Sequence, residues 1–227
     1  MNRDLAIEKI EKDFEKISNL VLEQLQLLEE LLATEQKEGP AALIPQLQKN
    51  EEKIDRSELQ LDEHIIRTIV LFQPVAGDLR RLFAIYHMTI NLERVGDLVM
   101  AVTMRYKDLK DAELLEESRS ALKQLLKQTS KMVSGSLLSF MQRDQAMATR
   151  TIESDSTFDD LNKKLLKRTI KVAGLPKKSR EVLDNLLDMR TMFASIERIG
   201  DHATNIAESS IYAISGTNVR HHDPKNE

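Results

Sequence analysis

The 227-residue chain carries 33 Lys and Arg against 37 Asp and Glu, a net charge of −4, and this mild, scattered charge argues against nucleic-acid binding. It contains no Cys, which excludes disulfides, Cys-ligated zinc, iron–sulfur clusters and a thiol nucleophile, and its 7 Gly, 5 Pro and abundant helix formers predict an all-α fold. The charged start and the lack of a long apolar run predict a cytoplasmic protein without secretory signal or transmembrane segment, associated with a membrane at most peripherally.

Three long helices are predicted in the first half of the chain. Apolar residues recur at steps of three and four from Ile7 to Leu32, the period of a helix with one buried stripe. Gly39 and Pro40 predict the end of this helix and the start of a second, which extends to about residue 72. The third helix covers about residues 78–106, and its expected inward residues are Leu79, Leu82, Phe83, Tyr86 and Ile90.

The second half repeats this scheme after the polar run 107–111. Helices are predicted over about 112–142, 144–172 and 178–215, with Leu186 and Leu187 facing inward in the last one. Short loops between long helices predict two tandem, pseudo-symmetric three-helix bundles with up-down connectivity, residues 1–107 and 108–215. Residues 216–227 are polar and aperiodic and are predicted to be disordered.

A fixed offset of 104 residues relates the two halves. At this offset the segment Glu93-Arg94-Val95-Gly96-Asp97 coincides with Glu197-Arg198-Ile199-Gly200-Asp201. The same offset, without a gap, pairs Glu51 with Asp155 and Asp55 with Asp159. The repeat is otherwise diffuse, so the shared acids are its most informative part.

Each half therefore contains two pairs of acids spaced four residues apart, which places both carboxylates of a pair on one face of a helix. Spacing alone is uninformative in a chain with 37 acids. Their register is informative, because the pairs occupy positions at which the buried stripe calls for apolar residues. The eight candidate metal ligands are Glu51, Asp55, Glu93, Asp97, Asp155, Asp159, Glu197 and Asp201.

Carboxylates at such positions repel one another and lose hydration unless a proton, an arginine or a cation compensates. Arg94 and Arg198 lie one residue away, about 100° around the helix, and are not expected to neutralise all the acids. Four oxygen ligands per half suit divalent or trivalent metal ions such as iron, manganese, magnesium or calcium, and zinc less well. A metal-free charge network at the edge of the core is the alternative interpretation.

A glycine stands inside each repeated segment. Gly96 and Gly200 are expected in the middle of helices, where glycine costs about 1 kcal/mol relative to alanine. Their recurrence predicts either the close approach of a neighbouring helix or room beside a ligand.

The repeated segment, its continuation over residues 202–208 and the sequence Gln-Pro-Val-Ala-Gly-Asp-Leu-Arg at residues 73–80 resemble the PhoU family of bacterial phosphate-transport regulators. The resemblance extends through Ser215 and implies that the paired acidic motifs bind multinuclear clusters of iron or zinc. It also implies a negative regulator of phosphate uptake and of phosphate-starvation signalling. Such proteins link the ATPase of a phosphate ABC transporter to a sensor histidine kinase by contact, without catalysing a reaction.

Three departures from internal symmetry predict that the sites of the two halves differ. Lys177-Lys178 replaces Gln73-Pro74, Asn162 replaces Glu58, and Asn205 replaces Ala101. A metal with open coordination positions would also be able to bind phosphate, and a homodimer is predicted.

Two alternatives remain open: a metal-free helical scaffold, and a di-iron carboxylate enzyme, although the Glu-x-x-His ligands of such enzymes are missing from the relevant helix faces.

Overall fold

The computed structural model describes residues 2–34, 39–109, 111–172 and 180–220. Within these ranges the chain forms helices and no strand, which confirms the all-α fold class. The side chain of Asp159, one of the candidate ligands, lies outside the described ones, as do residues 221–227 of the segment predicted to be disordered. The helices are α1 (Arg3–Ala33), α2 (Gly39–Phe72), α3 (Ala76–Asp108), α4 (Ala112–Gln142), α5 (Gln145–Val172) and α6 (Arg180–Ser215).

The helices form two three-helix bundles that lie side by side. Helices α1, α2 and α3 pack against one another, and α4, α5 and α6 do the same. The bundles meet along α3 and α6, with a smaller contact between α1 and α4. Helices α3 and α6 are antiparallel, because Asn91 contacts Asn205 while Arg105, further along α3, contacts the earlier Asp188.

Several helix ends follow from local hydrogen bonding. The side chains of Asn2 and Asp111 cap α1 and α4 by accepting from the backbone N–H three residues on. The predicted stop of α1 at Gly39 is wrong, because α1 ends at Ala33 and Gly39 is the first residue of α2. Thr34 takes an extended backbone there, and its hydroxyl donates to the Glu30 carbonyl at 2.7 Å, an alternative to helix continuation.

The inward orientation predicted for two apolar residues is also wrong. Phe83 and Leu187, which correspond at the 104-residue offset, are 46% and 49% exposed. Helix α3 contacts α1, α2 and α6, so its buried arc is wider than one stripe and includes residues such as Leu82 and Ile85. The prediction assumed one buried stripe on the third helix. Because this helix packs against three neighbours, other faces of it are buried and the face that carries Phe83 is exposed.

The segment after α6 continues along the bundle. Gly216 adopts a left-handed backbone (φ 77°), and its N–H donates to the Tyr212 carbonyl, which closes the helix. Val219 then packs against a small apolar cluster formed by Ala148 of α5 with Ala207 and Ile211 of α6. Among the described residues, no helix is both long and apolar enough to cross a membrane.

Candidate metal centre

The structure brings the four predicted acids of the first half together on neighbouring faces of α2 and α3. Glu51 is half-buried, and the side chain of Glu93 is only 20% exposed. Asp55 and Asp97, one turn further along each helix, are exposed. The cluster therefore lies at the edge of the core, with one carboxylate of each pair turned inward and the other toward solvent.

Glu51 is the most enclosed of these acids, and α1 and α3 both confine it. The side-chain amide of Gln24 donates a 2.9 Å hydrogen bond to Glu51 Oε2. On the other side, a Cβ built at Gly96 would lie only 2.8 Å from the same oxygen, so α3 approaches the carboxylate as closely as a helix without a side chain allows. The second oxygen, Oε1, is buried and has no hydrogen-bond partner in the part of the chain that the structure describes.

A buried amide network behind Glu51 was not predicted from the sequence. Gln24 is completely buried, and its Oε1 accepts a 2.9 Å hydrogen bond from Asn50 Nδ2, which also donates to the Leu20 carbonyl. The sequence contained an indication of this network, because Gln24 and Asn50 are polar residues on the apolar faces of α1 and α2. A buried polar side chain needs a hydrogen-bond partner, so each of these residues indicates a polar contact inside the core.

Burial and repulsion by neighbouring charges favour the protonated forms of Glu51, Glu93 and Asp55. Burial, followed by the charges of Asp55, Asp97 and Glu93, raises the pKa of Glu51 to about 8. The pKa of Glu93 is raised by burial first and by Asp97 next, and the pKa of Asp55 is raised by burial and by Asp97. The charge of Asp97 is thus close enough to oppose the ionisation of Glu51, Glu93 and Asp55.

Arg94 compensates this repulsion only in part. Its Nη1 lies 3.2 Å from Asp97 Oδ2 and its Nε 3.5 Å from Glu93 Oε2. The guanidinium is more than half exposed, so water screens both pairs. It lowers the pKa of Glu93 without offsetting burial and Asp97, in line with the expectation that the arginine cannot neutralise the whole cluster.

Two further acids of α2 extend the cluster along the same face. Burial and the charges of Asp62 and Asp55 raise the pKa of Glu58, and burial raises the pKa of Asp62. The Oδ1 atom of Asp62 is buried without a hydrogen-bond partner among the described residues. Glu58 was noted from the sequence as the counterpart of Asn162 and was not assigned to the site, and Asp62 was missed.

The corresponding acids of the second half lie on α5 and α6. Asp155 and Glu197 are half-buried and Asp201 is exposed, as their counterparts are, and each of the three has an interaction partner. Asn162, which replaces Glu58, is almost fully buried, and its Oδ1 has no hydrogen-bond partner within the described ranges. The positions of the candidate ligands are therefore repeated, but the two further acids of α2, Glu58 and Asp62, are replaced by Asn162 and Leu166.

The two glycines of the repeat have different neighbours, which is the clearest difference between the halves. Where Gly96 faces the Glu51 carboxylate, Gly200 faces the ring of Phe158, whose Cε1 would lie 3.1 Å from an added Cβ. Phe158 is 1% exposed and corresponds to Ile54 at the 104-residue offset. An apolar ring thus occupies in the second half the place that a carboxylate occupies in the first.

The first-half residues fit a hard cation in their chemistry. They supply several carboxylates that lie close together and whose ionised forms are destabilised. One oxygen of Glu51 is also buried and accepts no hydrogen bond from the described residues. As the side chains are placed, no group of three or more histidine, aspartate or glutamate residues among those described converges tightly enough to hold a metal ion. Metal binding would therefore involve rotation of side chains, for which the exposed Asp55 and Asp97 are suited.

Comparison with known proteins identifies close relatives over most of the chain. The PhoU domain model matches twice, at residues 14–105 and 122–210. Proteins named phosphate-specific transport system accessory protein PhoU homolog from a Burkholderia species and from Pseudomonas aeruginosa are 34% and 33% identical, over 78% and 81% of this chain and 75% of each relative. The crystal structure of PhoU from Pseudomonas aeruginosa superimposes with a TM-score of 0.81 at 28% identity, covering 94% of this chain and 99% of that one.

Proposed function

The chain belongs to the PhoU family, and from this membership we propose that it is an accessory protein of phosphate transport that restrains phosphate uptake and phosphate-starvation signalling. The relatives are named as accessory proteins of a phosphate-specific transport system. The chain is accordingly an accessory protein and not an enzyme, so the di-iron enzyme considered from the sequence is set aside.

The observation that supports a metal-dependent role is the cluster of repelling carboxylates around Glu51. A cation of charge two or three would neutralise this repulsion and would occupy the side of Glu51 Oε1 that has no donor. In our proposal the ligands of the first site are Glu51, Asp55, Glu93 and Asp97, and those of the second are Asp155, Asp159, Glu197 and Asp201. Iron, zinc, manganese and magnesium are the candidates, and the metal would fix α2 against α3 and α5 against α6.

The proposed partners are the ATPase of a phosphate ABC transporter and a membrane-bound sensor histidine kinase. The relatives' names support the transporter, and the kinase follows from the family resemblance. Both contacts would take place at the cytoplasmic side of the membrane, which is where we propose that the protein acts. The predicted homodimer is tested by sedimentation equilibrium of the purified protein.

The metal role is tested by the metal content of protein purified without a histidine tag. We expect bound metal in the wild type, and a loss of the first-site fraction in a variant carrying Glu51→Gln, Asp55→Asn, Glu93→Gln and Asp97→Asn. The matched control carries Glu15→Gln and Glu23→Gln, two exposed acids of α1, and should retain all of the metal. If the wild type contains no metal and has the same free energy of unfolding as the quadruple variant, the metal-free scaffold is favoured instead.

The regulatory role is tested in a bacterium that lacks its own PhoU-family gene and carries a phosphate-starvation reporter. Expression of this chain should repress the reporter in phosphate-rich medium, and the quadruple variant should repress it less. Failure of the wild type to repress, at normal protein levels, would contradict the regulatory role without bearing on metal content.

A further inference from the structure

A polar cleft between the two bundles is lined by none of the eight candidate metal ligands. It has a volume of about 350 Å³ and lies where α3 and α6 run side by side, with the segment after α6 along one edge. Its lining differs in chemistry from the carboxylate faces, because it combines a guanidinium, an imidazole, two amides and a hydroxyl with a single carboxylate. The lining residues are His87, Asn91, Asn205, Glu208, Ser209 and Arg220.

Hydrogen bonds between the bundles hold the walls of this cleft in place. Asn91 Oδ1 lies 2.8 Å from His202 Nδ1 and accepts a 3.2 Å hydrogen bond from Asn205 Nδ2. The amide nitrogen of Asn91 donates at 2.8 Å to the backbone carbonyl of His87, one turn earlier in α3. The two asparagines are therefore fixed relative to each other before any ligand binds.

The segment after α6 brings a cation into the cleft. Gly216 turns the chain back, and Arg220 Nη2 then donates a 3.3 Å hydrogen bond to Ser209 Oγ. Burial, followed by the charge of Arg220, lowers the pKa of His87, which indicates that the guanidinium and the imidazole face the same space. An anion between them would offset the charge of Arg220.

A second arginine stands near the same turn. Arg80 of α3 lies beside Gly216, at the far end of the same helix pair, and its Nε is buried without an acceptor among the described residues. Guanidinium groups pair with tetrahedral oxyanions through two parallel N–H bonds, which suits Arg220 to such a ligand.

We propose that this cleft binds a small protonated oxyanion, inorganic phosphate, between Arg220 and the Asn205–Ser209 face of α6. Glu208 is the residue that selects among oxyanions. Its carboxylate repels a fully deprotonated tetrahedral anion but accepts a hydrogen bond from a P–OH group. Phosphate retains such a proton near pH 7 and sulfate does not, so the same residue favours phosphate and opposes sulfate.

This binding does not require a metal, which separates it from phosphate bound at an open metal position. Its regulatory meaning rests on the proposed function, since a phosphate that joins α3, α6 and the segment after α6 would report phosphate concentration through the contact between the bundles. The binding itself is independent of that role and is measured on purified protein.

The test is calorimetric titration of the full-length, chelator-treated protein with potassium phosphate and potassium sulfate at matched ionic strength. We expect one phosphate per chain and at least about tenfold weaker binding of sulfate. Arg220→Gln should weaken phosphate binding at least about tenfold, and Glu208→Gln should reduce the preference for phosphate over sulfate by a similar factor. Arg56→Gln, which alters an exposed guanidinium on α2, is the matched control and should bind phosphate as the wild type does.

Arg220 lies beyond the last helix, so its substitution leaves the packing of the bundles in place, and an unchanged melting temperature verifies this. The proposal is overturned if the chelator-treated wild type binds no phosphate at millimolar concentration, or if Arg220→Gln binds it with wild-type affinity. Equal binding of sulfate and phosphate would overturn the role of Glu208. The quadruple acidic-site variant should bind phosphate normally, so a failure of the metal proposal and a failure of this one are distinguishable.

Discussion

The carboxylate of Glu51 lies directly against Gly96, so that a methyl group at position 96 would stand 2.8 Å from Glu51 Oε2. The contact joins α2 to α3 at the centre of the acidic cluster and explains why a helix of 33 residues contains a glycine there. Glycine at position 96 lowers helix stability by about 1 kcal/mol relative to alanine. It leaves the space that the Glu51 carboxylate occupies while it accepts the hydrogen bond from Gln24. The glycine therefore belongs to the site, although it contributes no ligand atom.

Gly96→Ala is expected to displace Glu51 without unfolding the protein. The Glu51 carboxylate is the far end of a flexible side chain and can move, so the free energy of unfolding should stay within about 1 kcal/mol of the wild type. Metal affinity should fall at least about tenfold because the hydrogen bond from Gln24 is broken. Urea unfolding and metal titration measure the two effects.

Gly200→Ala is the matched variant of the second half and should behave differently. The atom nearest to its added Cβ is Phe158 Cε1 at 3.1 Å, and this ring is buried in the hydrophobic core, unlike the flexible carboxylate of Glu51. We expect a loss of about 1–3 kcal/mol in the free energy of unfolding from overpacking. Equal effects of the two substitutions on stability would contradict the difference between the halves.

Gln24→Met tests the amide network beneath the cluster. Methionine has nearly the same shape but leaves Asn50 Nδ2 with one acceptor fewer and removes the donor to Glu51 Oε2. The free energy of unfolding, measured with urea in the absence of metal, should decrease by about 1–3 kcal/mol. Gln26→Met alters an exposed glutamine of the same helix and should change it by less than about 0.5 kcal/mol. A cost of Gln24→Met as small as that of the control would show that the network is not needed for folding.

The sequence predicted the helices and the location of the acids but not the surroundings of the acids. The bounds predicted for α4, residues 112–142, match the structure because the helical period is continuous there and Asp111 caps it. The pairing of Glu51 with the 93–97 segment followed from the repeat and from the rule that consecutive long helices pack together. Whether these acids bind metal stays a prediction.

Contacts with a third helix could not be predicted. The period of α1 shows which of its faces is buried, but not that Gln24 on this face lies opposite Glu51 of α2. Likewise, the offset of 104 equates Gly96 with Gly200 without showing that one faces a carboxylate and the other the ring of Phe158. The exposure of Phe83 was missed for the same reason, since the orientation of a helix with three neighbours depends on all of them.

Metal affinity should depend strongly on pH. A cation at the cluster must displace the proton of Glu51, whose pKa is raised to about 8, so apparent affinity should rise about tenfold per pH unit below that value for each proton released. Manganese titrations at pH 6, 7 and 8, followed by the shift in melting temperature, measure this slope. Treatment with a chelator should return the melting temperature to its metal-free value. A pH-independent affinity would contradict proton displacement at Glu51.

Without metal, stability should decrease as pH rises, and Glu51 should be the main cause. Because its pKa is about 8 in the folded protein and near 4.5 when unfolded, the folded state retains a proton that the unfolded state loses between these values. The free energy of unfolding therefore decreases across this window, by about 1–3 kcal/mol once screening by water is allowed for. Glu51→Gln should match the wild type near pH 5 and exceed it at pH 9, whereas Glu63→Gln, on the exposed face of α2, should follow the wild type throughout. Urea unfolding of the metal-free proteins at pH 5 and pH 9 measures these free energies. If the free energy of unfolding changes with pH equally in the wild type and in Glu51→Gln, Glu51 is not the cause of the pH dependence.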